Sequence, residues 1–389
     1  MIEAWRWFGP ADAITLAEVA QTGAAGIVTA LHDVPYGAVW PRGAIAERRG
    51  AIEARGLTWA VVESLPVHEA IKRGEGGLAP LFAAYRQSMA NLAAEGVRTI
   101  CYNFMSLLDW TRTRLDAPLP RGGTALRFSA PEMAFFDVHM LGRAGAEADW
   151  SAEVLEAAEA IARGAGAAER DRLLGAIMSG LPGAYARYDV AGLRDALAPW
   201  AGLDADGLRA SLARFLAEVV PAAEDLGVRL AIHPDDPPRP LLGLPRVVST
   251  AGDVAAVLAM QDAPANGLTL CAGSLGAHPG NDVPAIARAH GPRIHFAHLR
   301  NVSKEPDGSF EEAAHLEGDT DMPAVVDALL DAEAGREPIP FRPDHGHALL
   351  MDADRPAHPG YPLIGRLRGL AELRGVIAGL GHARRPPRP

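Results

Sequence analysis

The chain has 389 residues, 49% of them hydrophobic, a formal net charge of -11 and two cysteines. It can bury a large core, in one big domain or two ordinary ones, and its acidity disfavours a nucleic-acid partner. Two cysteines, Cys101 and Cys271, fit a reducing cytoplasm better than a disulfide framework. The first residues, MIEAWRWFGP, lack a basic stretch followed by an apolar one, so no signal peptide is expected. No run approaches the roughly 18 apolar residues of a membrane helix, so no membrane association is expected either.

In chain order, strand-like runs at 2–7, 26–32, 57–64 and 97–104 alternate with helical patterns at 11–22, 43–55 and 77–95. The second half repeats the rhythm, with helices at 206–226, 251–262, 282–290, 323–335 and 362–379 between and after strands at 228–234, 267–273, 294–299 and 338–344. Alternation implies a parallel sheet with right-handed crossovers. Eight such strands predict an α/β fold, a (β/α)8 TIM barrel. The stretch 105–205 breaks the rhythm: part is rich in Pro and Gly (DAPLPRGG) and part reads as helix, with no strand pattern. It is expected to be a helical insertion between strands four and five, serving as a lid or a subunit contact within one domain spanning 1–380. The tail 381–389, rich in Pro and Arg, is expected to be disordered.

Four side chains that bind transition metals well close four consecutive runs: His233 in VRLAIHP, Cys271 in GLTLCAG, His298 in IHFAHLRN and Asp344 in IPFRPDHGH. Barrel enzymes place their chemistry at the C-terminal ends of the strands, so these four are expected to meet at one mouth. Two imidazoles, a thiolate and a carboxylate make a protein shell for a divalent metal. Cys101, alone on its strand, reads as core. His345 follows Asp344 at a strand end, where alternation aims the two to different sides and leaves His345 for acid or base work. Tyr361 opens the last helix within reach of the mouth as a second proton carrier. Arg300 and Arg342 are placed to hold a carboxylate or hydroxyls. Arg6, Trp7 and His32, at the ends of the first two strands, line the pocket; Ser274, Asn301 and His315 complete the expected substrate contacts. Asp321 reads as a helix N-cap.

HPDDPPRPLLGLPRVVST, LCAGSLG, RIHFAHLRNV, HLEGDTDM, RPDHGH and PGYPLIGRLRGLAEL, with WRWFGP and GIVTALHDVPYGAVWP near the start, together resemble the D-mannonate dehydratase family of the hexuronate pathway. The resemblance covers nearly the whole chain. It implies a barrel of the xylose isomerase superfamily that removes water from D-mannonate to give 2-keto-3-deoxy-D-gluconate. It further implies Mn2+ or Fe2+ on His233, Cys271, His298 and Asp344, with His345 and Tyr361 as acid and base in an order the sequence leaves open. A homo-oligomer, most simply a dimer, acting on a small aldonate is the expected assembly. The competing reading is a metal-dependent sugar isomerase or epimerase on the same barrel, against which the thiolate of Cys271 speaks.

Overall fold

The computed structural model describes residues 1–180 and 188–384. Its strands in chain order are β1 (Ile2–Arg6), β2 (Gly26–Thr29), β3 (Thr58–Glu63), β4 (Thr99–Tyr102), β5 (Arg114–Pro118), β6 (Thr124–Phe128), β7 (Arg229–Ile232), β8 (Asn266–Cys271), β9 (Ile294–His298), β10 (Asn301–Lys304), β11 (Phe310–Ala313) and β12 (Pro340–Arg342). Eight of them, β1–β4, β7–β9 and β12, close a parallel barrel in the order β1-β12-β9-β8-β7-β4-β3-β2. This is the expected TIM barrel, and the expected helices surround it. Local chemistry sets their ends. Thr15 with Glu18 and Thr250 with Asp253 form capping boxes, and Asp321 accepts from the Ala324 N–H as an N-cap. Gly227, at φ 61, closes the long helix Ala205–Leu226 in the left-handed conformation and turns the chain into β7.

The barrel interior is filled by Ala4, Val28, Val61, Cys101, Ala231 and Phe296. A much larger apolar layer joins the outer faces of the strands to the helices. Phe296 and His298 share the inward face of β9, whereas Ile294 belongs to the outer layer.

The insertion carries the expected helices, at Ala130–Phe135, Ala152–Gly164 and Ala167–Met178, and a further one at Val190–Leu197. It also contributes two strands that its sequence pattern did not reveal. β5 and β6 form a hairpin that pairs with the hairpin β10–β11, giving an antiparallel sheet in the order β10-β11-β6-β5. These strands are short and polar because only one face is covered, so they lack the continuous apolar runs of the buried barrel strands. Under this sheet lies a second apolar cluster that includes Phe128, Phe135, Phe136 and Trp150 with Leu241, Val302 and Phe310, so the insertion is anchored to loops of the barrel itself.

At the C-terminus, residues 381–383 of the expected disordered tail instead belong to the helix Leu363–Ala383. Val376, Ile377 and Leu380 pack against the core, and Arg384 pairs with Asp331 at 2.7 Å, which fastens that end. Residues 385–389 lie outside the described residues. No described helix is long and apolar enough to cross a membrane.

Candidate active site

Side chains on a strand alternate between the two faces, so every barrel strand but β2 delivers one inward polar residue at its C-terminal edge. These are Arg6, Glu63 and Arg342 on β1, β3 and β12, Cys271 and His298 on β8 and β9, and Asn103 and His233 one step past β4 and β7. Register places Cys271 opposite His298 and His298 opposite Arg342, so neighbours along the rim stand at one height.

One ligand atom each from His233, Cys271 and His298 lies within 4.8 Å of the others. His233 Nε2 is 3.1 Å from His298 Nδ1, and His233 Nδ1 is 2.7 Å from the Pro234 carbonyl, which fixes the ring. Cys271 caps the short helix Ala272–Gly276; its Sγ accepts from the Ser274 N–H at 3.4 Å and the Ser274 hydroxyl at 3.1 Å. Burial alone would push this thiol up. His233 and His298 outweigh it and hold the thiol well below its ordinary value. His233 answers in kind: burial opposes its charge, yet Cys271, Glu63 and Asp344 raise it to about 9. A buried pocket that pulls a proton in among two imidazoles and a thiolate is one whose fixed charges favour a cation there. The soft and borderline donors suit a divalent transition metal.

Asp344 stands beside this group, with Oδ2 3.7 Å from His298 Nδ1. Its other oxygen accepts from Arg342 Nη1 and, at 3.3 Å, from the Tyr361 hydroxyl. Burial disfavours the charged carboxylate, but Arg342, His345, His298 and Arg300 keep it well below the usual carboxylate range. Asp344 and His345 do not diverge as strand alternation predicts. β12 ends at Arg342, and Asp344 adopts φ 52, a turn conformation that few residues other than Gly take. The turn brings His345 Nε2 to 3.9 Å from Asp344 Oδ1. Tyr361 packs edge-on against His345, with ring centroids 5.0 Å apart, and burial raises its phenol well above the ordinary range.

Around the cluster runs a buried ionic network absent from the sequence reading. Arg342 grips Glu63 through two bonds, Nε–Oε2 at 3.0 Å and Nη2–Oε1 at 2.8 Å. Arg300 donates to Asp236 Oδ2 at 2.7 Å, Glu312 Oε2 at 2.7 Å and Ser274 Oγ at 3.3 Å, while its buried Nη2 has no partner among the described residues. Arg112, from the insertion, holds both oxygens of Asp236 and reaches Glu312 Oε1 at 3.1 Å. Glu312 also faces His345 Nδ1 at 3.1 Å. Burial would raise Glu312, but Arg300, His345 and Arg112 lower it to about 2. A Cβ on Gly273 would sit 2.6 Å from the Arg300 side chain, so that position accepts only glycine without displacing the guanidinium.

The other expected contacts are engaged with other groups of the protein. Trp7 packs in the strand–helix layer under the Arg48 guanidinium. Asn301 gives its amide to the His315 and Thr320 carbonyls and accepts from the Val302 and Thr320 N–H groups, tying down the 315–320 loop. His315 Nε2 meets the Pro343 carbonyl at 2.5 Å and braces the turn that carries Asp344. Ser274 bonds Cys271 and Arg300. His32 is buried beside Arg6 Nη2 at 3.2 Å; burial and then Arg6 lower it to about 3, so it is neutral. Glu63 could have been found by the strand-end rule applied to TWAVVE, and Asp236 within HPDDPP. Arg112 and Glu312 carry no such signal, because Arg112 leads into the β5–β6 hairpin, Glu312 sits on β11, and the two segments meet only in the folded chain.

Residues 1–385 match the family described as UxuA: D-mannonate dehydratase. The mannonate dehydratase of Chromohalobacter salexigens is 56% identical over 382 residues, 97% of this chain and 98% of that protein. That of a Marinomonas species is 49% identical over 98% of this chain and 99% of its own. Among solved structures, the mannonate dehydratase from Streptococcus suis serotype 2 superposes with a TM-score of 0.79 at 33% identity, covering 100% of this chain and 97% of that one. A D-psicose 3-epimerase superposes at a TM-score of 0.54 with 13% identity over 97% of this chain and 100% of its own, a likeness of fold alone.

Proposed function

This chain belongs to the D-mannonate dehydratase family and is a hydro-lyase that dehydrates D-mannonate, and we propose that it does so with His345 as base and Tyr361 as acid beside one Mn2+ or Fe2+. His233, Cys271, His298 and Asp344 would hold that ion. When bound, it supplies Lewis-acid stabilisation of the negative charge that builds as the carbon beside the carboxylate loses its proton. His345 takes the C2 proton. Tyr361, a buried phenol that keeps its proton, donates to the departing 3-hydroxyl. The enol left behind ketonises to 2-keto-3-deoxy-D-gluconate. The unpartnered Nη2 of Arg300 offers a buried donor to the substrate, and Arg342 holds Asp344 in place while fastened to Glu63. Trp110, part of the insertion, lies 6.0 Å from the His345 ring, which supports a lid role for residues 105–205. Two unpaired buried cysteines fit a cytoplasmic setting.

The observation that carries this reading is convergence: three metal-binding atoms within 4.8 Å, with His345 and Tyr361 both directed at the adjacent Asp344. The epimerase alternative has only the shared barrel behind it. The test incubates Mn2+- or Fe2+-loaded protein with a panel of hexonates and pentonates and assays 2-keto-3-deoxy acids. D-mannonate should give the highest kcat/KM; conversion to an isomer of unchanged mass would overturn the reading.

A further inference from the structure

Glu312 belongs to no barrel strand. It rides on β11, in the outer sheet, yet its carboxylate is buried and touches three groups at once: Arg300 Nε at 2.7 Å, Arg112 Nη2 at 3.1 Å and His345 Nδ1 at 3.1 Å. The two guanidiniums are themselves fixed. Both grip Asp236, Arg112 with Nη1–Oδ1 at 2.8 Å and Nη2–Oδ2 at 3.0 Å, and Arg300 with Nη1–Oδ2 at 2.7 Å. Two cations and two anions thus alternate in a closed buried array. A carboxylate held from behind by two guanidiniums has little freedom to rotate away from the imidazole in front of it.

An imidazole has two nitrogens, and the hydrogen bond at one decides what the other can do. A carboxylate accepts only. When the Glu312 carboxylate accepts a hydrogen bond from Nδ1–H, Nε2 is the nitrogen left with a lone pair, and Nε2 is the one on the Asp344 side, 3.9 Å from Oδ1. His347 Nε2 lies 2.8 Å from the Glu312 backbone carbonyl, so its ring is tied to the main chain and does not compete for the Glu312 side chain.

We propose that Glu312 is a positioning residue for the dehydration: it fixes the tautomer and orientation of His345 so that Nε2 faces the substrate as a base, and Arg300 and Arg112 fasten it for that purpose. This rests on His345 being the base. Through Arg112 the insertion then contributes to proton transfer as well as covering the mouth. After C2 deprotonation His345 carries both protons and a positive charge, and the Glu312 carboxylate stabilises that imidazolium; no proton passes on to Glu312.

The test is a double-variant cycle on the metal-loaded protein. Glu312→Gln should lower kcat roughly 10²-fold or more while KM and bound metal stay near the parent's, because the amide can present its NH2 to Nδ1 and favour the wrong tautomer. In a His345→Asn background the same change should lower kcat by less than about twofold, since a residue acting through His345 has nothing left to act on. If Glu312→Gln fails to fold, Glu312→Asp keeps the charge for both arginines, withdraws the carboxylate from Nδ1, and should show the same dependence on His345. Parental kcat in the foldable variant overturns the proposal, as do losses that multiply across the two sites. His345→Asn alone separates the two failures. If it is crippled while Glu312→Gln is parental, only the positioning role falls. If it is parental, the base assignment and the positioning role fall together.

Discussion

Ala4, Val61, Cys101, Ala231 and Phe296 form a buried apolar plug inside the barrel, and two positions further along the chain from each stand Arg6, Glu63, Asn103, His233 and His298. The two layers share strands, register and backbone geometry. They are separated by one period of strand alternation, roughly 6.6 Å. The lower layer contributes by excluding water and filling space. The upper layer is also mostly buried, but its groups are ionic or polar and each is held by a partner. The difference shows how little backbone divides scaffold from chemistry in this fold: substitutions two residues apart should fail in different ways.

The sharpest contrast lies with the proton carriers above the upper layer. His345→Asn and Tyr361→Phe should each lower kcat by roughly 10²-fold or more, the usual scale for a positioned acid or base. Metal content and melting temperature should stay near the parent's in both. Loss of metal together with activity in His345→Asn would make that residue a support for Asp344 and blur the boundary between the two roles. Next in size is the thiolate. Cys271→Ser should weaken metal retention and shift preference toward harder ions, read by metal analysis after dialysis; parental Mn2+ retention and turnover would remove Cys271 from the ligand set.

A related effect is time-dependent. A thiolate on Fe2+ raises its electron density, so the iron-loaded protein should lose activity in air and regain it with thiol reductant plus Fe2+ or Mn2+. The manganese form should decay far more slowly, and equal decay of the two forms under air would count against an open thiolate-ligated site. The smallest effect on turnover belongs to the lower layer. Val61→Ala, fully enclosed in the plug, should cost about 2 kcal/mol of stability with kcat per folded molecule unchanged. A fall in kcat would mean that the plug sets the height of Glu63.

Most of the barrel was legible because its strands are buried on both faces and therefore read as continuous apolar runs. His233, Cys271, His298 and Asp344 were legible for the same reason, each being a polar residue that interrupts such a run at its end. Glu63 obeys the same rule, but a carboxylate there has no metal-ligand partner close in sequence to mark it. The limits of the rule appear at Asp344 and His345. Alternation holds only while the strand lasts, and β12 stops at Arg342. β5, β6, β10 and β11 escaped because one-sided strands in polar hairpins leave a weak pattern. With them went Arg112 and Glu312, whose meeting depends on pairing between distant segments. Asn301 and His315 follow β9 within a short stretch of sequence, but backbone carbonyls claim their side chains.

The outer sheet joins Arg127 to Glu311, and the chain between them contains β7, β8 and β9. Closing so long a loop is entropically unfavourable until the intervening strands are in place to hold its ends near one another. The site therefore has an order of birth. His233, Cys271 and His298 arrive with the barrel strands, and the carboxylate behind His345 arrives only when the two hairpins zip together above them. Amide exchange during refolding should accordingly protect β7–β9 before β6 and β11. A chain halted between the two stages would grip its ion yet have no oriented base, making metal uptake a measure of barrel closure and turnover a measure of completion.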